Sequence, residues 1–250
     1  MHFEAARGKL AKHEKVHLFG YNPSVSTTVP EVIEYSGNYR TPTTATTLRI
    51  VSSNANDTGA GTGARTVTLR GRGIDGSTID ETVTMQGLTP VETQNAFWRL
   101  TEAFVVTSGT YASQSAGSHA GTITISDGSN TWAVIDSTAL FPSATTAIGA
   151  YTVPAGYDAI VESISIHADN NKPMTVMMFK RENGALTEPY SAMRLLERWD
   201  GIAGSSHQAY KGGHLIPAKA DFGFIAKSIS QEGAISVDAE LTLIWRGDGI

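Results

Sequence analysis

Short runs of strict two-residue alternation, separated by turn chemistry, constrain this chain more than any other feature. Arg65-Thr-Val-Thr-Leu-Arg70, Glu81-Thr-Val-Thr-Met85 and Gly121-Thr-Ile-Thr-Ile-Ser126 each place apolar residues on one side and threonine or charge on the other. A period of two puts one face of a strand in a core and the other in water. Threonine on the wet face is β-branched and polar, so it favours strand without adding stickiness. The separators are Gly71-Arg-Gly-Ile-Asp-Gly76, Asp127-Gly128 and Asn183-Gly184. Asp-Gly and Asn-Gly supply the positive φ angles that tight hairpins need.

A second series reads as strands over Ala150 to Val153, Ala159 to His167, Thr175 to Lys180, Asp221 to Ser228 and Ala234 to Trp245. In the last of these, Ile235, Val237, Ala239, Leu241 and Leu243 share one face. Ser191 to Trp199 fits either a short helix or a strand. Short strands without long helical patterns between them predict antiparallel sandwiches or jelly rolls rather than βαβ units. The small, Ser/Thr/Ala-rich stretch Phe141 to Gly149, with Pro142, reads as a boundary. The opening segment is polar and shows no apolar face at helical spacing. The expectation is an all-β chain with an N-terminal arm (1–20), a first β-sandwich (21–143) and a second, jelly-roll-like sandwich (144–250).

Composition narrows the function classes. At 40% hydrophobic and 17% charged residues, 250 residues suffice for packed cores. The net charge of -5 argues against a general nucleic-acid binder. With no cysteine, thiolate metal sites, disulfides and a cysteine nucleophile are excluded. No stretch approaches the roughly 20 apolar residues of a membrane span, and Met1 to Gly20 lacks the apolar centre of a secretory signal. The expectation is a protein folded in a cytoplasm.

Several motifs invite chemistry. His13-Glu14-Lys15-Val16-His17 is literally H-E-x-x-H, with Gly20 where an extended zincin motif wants glycine. Pro23 replaces the third histidine, the surroundings are charged, and the short segment ahead of His13 leaves no room for a supporting sheet. A coincidence is expected. Gly59-Ala-Gly-Thr-Gly63 precedes a strand rather than following one, and no Gly-Lys-Ser/Thr follows it, so a flexible surface loop is expected instead of a phosphate cradle. Asp169-Asn-Asn-Lys172 lacks a calcium-loop ladder and reads as a turn. His119, His167, His207 and His214 show no motif pairing, and there is no G-x-S-x-G. Trp98, Trp132, Trp199 and Trp245 sit mostly in apolar strand contexts; core packing is the default and a sugar-stacking platform the functional alternative. Arg7, Lys9, Lys12 and Lys15 make a mildly basic arm, either solvated or paired with an acidic neighbour subunit. No catalytic, cofactor or metal residue is assigned.

Phe19-Gly-Tyr-Asn-Pro-Ser24, Asn56-Asp-Thr-Gly-Ala-Gly-Thr-Gly-Ala-Arg-Thr-Val-Thr68, Ile79-Asp-Glu-Thr-Val-Thr-Met-Gln-Gly87, Tyr151-Thr-Val-Pro-Ala-Gly156 and Leu215-Ile-Pro-Ala-Lys219 carry a resemblance. Together they resemble a family of structural proteins of marine and cyanobacterial tailed bacteriophages. The resemblance implies a non-enzymatic virion component, a cement or decoration protein on the capsid surface. It further implies a homotrimer at threefold lattice positions, with the major capsid protein as partner and neither nucleic acid nor membrane engaged. The competing expectations are a receptor- or glycan-binding module of a tail or head fibre, and a β-sandwich hydrolase. A fibre would show shaft repeats or a coiled coil, and a hydrolase a convergent acid/base pair; neither is visible.

Overall fold

The computed structural model describes residues 12–109, 118–137, 144–182 and 187–247. Among the described residues sixteen strands follow one another: β1 (His13–Val25), β2 (Glu31–Val32), β3 (Arg49–Ser52), β4 (Ala64–Arg72), β5 (Thr78–Thr84), β6 (Val91–Glu92), β7 (Arg99–Ser108), β8 (Ile123–Ser126), β9 (Thr131–Ile135), β10 (Ala150–Thr152), β11 (Tyr157–Ala168), β12 (Met174–Arg181), β13 (Arg194–Ile202), β14 (Gly204–Ile216), β15 (Asp221–Ser228) and β16 (Gly233–Trp245). All pairings between them are antiparallel, and no helix forms among the described residues. The chain is all-β, as the alternation predicted.

The chain divides into two compact units. Unit 1 comprises the residues up to Tyr39 and those from Ile148 on; unit 2 is Arg40–Ala147, inserted between β2 and β10. Unit 1 holds one sheet in the order β1-β16-β11-β14 and another in the order β10-β15-β12-β13, with β2 also on β15. Side chains from both sheets form one buried cluster, including Leu18, Val161, Ile164, Val176, Met178, Phe222, Phe224, Val237 and Leu241. Burying a side chain of this size contributes about 1.5–3 kcal/mol. Unit 2 holds the sheets β6-β3-β8-β9 and β5-β4-β7. It buries Ile50, Leu69, Phe97, Trp98, Ile125 and Trp132.

This division corrects the expected boundaries of 1–20, 21–143 and 144–250. Residues 13–20 are not an arm: they form the start of β1, registered on β16 from His13↔Ile244 to Asn22↔Ile235. Val16, Leu18, Gly20 and Asn22 face inward while Lys15, His17 and Phe19 face out, a period of two that charge had masked. Gly20 is required by contact rather than by torsion. A Cβ there would lie 2.4 Å from Gly149 Cα and 2.5 Å from the Ile33 carbonyl oxygen. Residues 21–39 also belong with the C-terminal half. The basic residues Arg7 and Lys9, and the Asn183-Gly184 turn, lie outside the described residues.

Of the stretch Ser191 to Trp199, Arg194 to Trp199 are strand, the start of β13, and Ser191 to Met193 lie ahead of it. β1, β7, β9 and β14 are strands the alternation did not reveal.

Candidate binding surface

The sequence motifs fall where strand geometry separates them. His13 and His17 stand four residues apart on β1, about 13 Å at strand rise, too far to share one ion. His17 instead places Nδ1 2.8 Å from Glu240 Oε1 and Nε2 3.5 Å from Asp238 Oδ1, while Lys15 pairs with Glu162. Asp169 closes a turn: its carbonyl accepts from Lys172 N at 3.1 Å and its carboxylate accepts from Ala234 N at 3.1 Å. Among the described residues no group of three His, Asp or Glu is placed to hold a metal ion.

The glycine run is a pinned loop. Buried Asp57 accepts from Ser52 Oγ at 2.5 Å, Ala64 N at 2.7 Å, Ala120 N at 2.8 Å and Gly121 N at 2.9 Å. A Cβ on Gly63 would lie 2.0 Å from Asp57 Oδ1. Glycine there permits close approach to the carboxylate, a role different from the loop flexibility expected.

One serine–histidine pair does form. Ser165 Oγ lies 2.9 Å from His207 Nδ1 on the outer face of the β1-β16-β11-β14 sheet. Asp238 stands opposite Ser165 across β11 and β16, but the histidine it contacts is His17. The relay of a triad, in which the carboxylate orients the base, is therefore not assembled from these groups.

The unusual chemistry of unit 1 lies on β13 and β14, the end strands of the two sheets. Directly opposed residues of an antiparallel pair share a face. Glu197 opposes Met178 and Trp199 opposes Val176 across β12–β13; Gln208 opposes Ile164 and His214 opposes Val161 across β11–β14. Those four partners are buried core residues. By pairing, core-side positions on both end strands are thus occupied by a carboxylate, an indole, an amide and an imidazole, three of them partly buried and the Gln208 amide exposed.

These groups meet across the gap between the sheets. Tyr210 donates its hydroxyl to Glu197 Oε2, and Gln208 donates to Glu197 Oε1 at 3.4 Å. Trp199 donates Nε1–H to Gln208 at 3.5 Å, and His214 Nε2 lies 3.7 Å from Glu197 Oε1. Tyr210 and His214 pack edge to face, with ring centroids 4.6 Å apart. Tyr210 reaches inward because residues 210–213 bulge from the ladder, whose register jumps from Ser163↔Ala209 to Val161↔His214. Burial, with the Glu197 carboxylate beside it, holds the Tyr210 phenol well above its ordinary range. The cluster stays partly open: the Glu197 side chain is 24% exposed and that of His214 30%.

The other tryptophans are structural. Trp98 and Trp132 are buried, donating to Pro42 O at 2.8 Å and Asp127 Oδ2 at 3.0 Å. Trp245 stacks edge to face on Tyr157 at 5.1 Å.

No family model matches the chain, and no curated protein matches it. Among solved structures, that of the infectious bursal disease virus Gx strain is 10% identical, with 96% of this chain and 74% of that one covered and a TM-score of 0.28. A VP2 protein of the same virus in T=1 particles is 9% identical, covers 96% and 71%, and has a TM-score of 0.29. At such scores the likeness carries no argument about fold or function.

Proposed function

We propose that this chain is a non-enzymatic structural protein of a tailed-phage virion, a cement or decoration protein on the capsid surface. The observation that carries the reading is the strand order of unit 1. Numbered within the unit and leaving out short β2, the eight strands run 1-8-3-6 in one sheet and 2-7-4-5 in the other. We infer from this a jelly roll with unit 2, a smaller β-sandwich, inserted between the first two strands of that numbering, β1 and the short β10. Jelly rolls serve in viral capsids, lectins and cupins, and fold alone does not choose among them. The resemblance of Phe19 to Ser24, Tyr151 to Gly156 and the other quoted segments to phage structural proteins favours the virion.

In this reading the subunit is a homotrimer seated on the major capsid protein. Closed symmetric oligomers are the rule, and a trimer fits a threefold position. It binds the assembled lattice and not the free subunits, so it stabilises the shell by mass action. A net charge of -5 offers no general attraction to nucleic acid. No helix among the described residues is long and apolar enough to cross a membrane. The second reading, a receptor- or glycan-binding module of a tail or head fibre, is favoured by the polar-aromatic cluster on β13 and β14.

A deletion mutant separates the two. The cement reading expects particles that assemble, burst at lower temperature or milder osmotic shock, and adsorb normally. Intact shells with lost adsorption would overturn it in favour of the fibre module.

A further inference from the structure

We propose that the mouth between β13 and β14 is a carbohydrate-binding site built from Glu197, Trp199, Gln208, Tyr210 and His214. The inference concerns chemistry at one site and stands whether the subunit belongs to a head or a fibre.

Its first support is that this strand margin is polar where an apolar one would serve, although Trp199 and Tyr210 also pack against the core. A sandwich margin closes most simply with apolar side chains, and polar residues at core-facing positions are errors of pattern unless they serve a function. β16 shows the apolar solution, with Ile235, Val237, Ala239, Leu241 and Leu243 all buried on one face. On β14 the corresponding inward positions hold Ser206, Gln208 and His214, opposite buried Ile166, Ile164 and Val161. Holding Glu197 and His214 partly buried at a core margin costs desolvation that leucine would not.

The second support is the kind of groups assembled. A carboxylate has about four lone-pair directions. Here Tyr210 and Gln208 donate to it, and His214 stands nearby. Acceptor capacity on a partly open carboxylate, an amide that both donates and accepts, and a half-buried indole form one constellation. It suits a ligand with vicinal hydroxyls on an otherwise C–H-lined ring: hydroxyls bridge carboxylate and amide, while the ring's apolar face covers the aromatic edge. A phosphate ligand would want cations instead, and the side chains meeting here are one carboxylate, neutral hydrogen-bonders and a single imidazole. The position is also open at its rim: β13 and β14 are end strands of their sheets, and the Glu197 and His214 side chains are 24% and 30% exposed.

The test is titration of the purified full-length protein, by tryptophan fluorescence and calorimetry. The probes are glucose and N-acetylglucosamine oligosaccharides and delipidated lipopolysaccharide O-chains. Trp98 and Trp132 are buried, so a saturable change reports chiefly on Trp199 and Trp245, and Trp245→Phe separates these two. Saturable binding tighter than about 1 mM is expected for at least one probe, with about a tenfold loss in Gln208→Ala and in Glu197→Gln. Ser165→Ala, on the outer face of the sheet, should bind as wild type. Circular dichroism and melting curves on each variant exclude unfolding as the cause of loss. No saturable response to any of these probes would overturn the proposal, as would binding that Gln208→Ala and Glu197→Gln leave unchanged.

Discussion

Glu197 on β13 directly opposes Met178 on β12, so a carboxylate and a fully buried thioether side chain share the core-facing side of one strand pair. The carboxylate is tolerated because Tyr210 and Gln208 reach it from the other sheet. Gln208 is itself exposed, and substitutions at exposed positions usually change stability little. Gln208→Leu should therefore melt within about 1 kcal/mol of wild type or above it. Urea denaturation measures this, and a loss above about 2 kcal/mol would show that the amide is structural.

Glu34 is fully buried, and burial raises its carboxyl to about 7 despite hydrogen bonds from Ser36 N and Oγ. The folded value lies above the unfolded value of 4.5, so the native state binds this proton more tightly. Stability from the neutral carboxyl is full below about pH 4.5, falls between there and about 7, and stays low above. Glu34→Gln should stabilise the protein by up to about 3 kcal/mol at pH 8, and hardly at all at pH 4.5. Denaturant melts of both proteins at the two pH values check the sign.

Asp57 satisfies three backbone N–H groups and one hydroxyl. Asp57→Ala leaves them buried without an acceptor, at about 1–3 kcal/mol for each that water cannot reach. A loss of about 3–5 kcal/mol is expected. Hydrogen exchange should accelerate at Ala64 and Gly121 and leave unit 1 protected; uniform acceleration in both units would contradict a local role.

Gly20→Ala forces a Cβ against backbone atoms of Gly149 and Ile33 and should cost more than about 2 kcal/mol. Gly212→Ala, where nothing lies within 4 Å of the new atom, should be neutral or slightly stabilising. Thermal melts of the two variants compare contact with chain entropy.

The contrast between β16 and β14 shows what was legible in the sequence. Both are 13 residues long. β16 alternates apolar and polar residues and was readable as a strand; β14 carries Ser206, Gln208 and His214 where apolar residues would have marked the inward face, and was not. The same holds for β1, whose outward Lys15 and His17 obscured inward Val16 and Leu18. The candidate site was invisible for the same reason. His214 and Trp199 were noticed singly, but Glu197 and Gln208 carry no motif, and only the opposition to Met178 and Ile164 reveals that they face inward. One signal was available: a long polar stretch between confident strands, containing Gly212-Gly213 and a lone tyrosine.

The pairing of β1 with β16 joins residues more than two hundred positions apart, with all of unit 2 between them in sequence. On a ribosome, residues 40–147 have all emerged before the last strand exists, whereas the sheet containing β1 must wait for the final stretch of chain. Such long-range closure is slow, and domains generally fold as units during synthesis. The inward face of β1 therefore waits longest for its partner, and a chain that stops before Gly233 leaves that face without the strand that covers its edge.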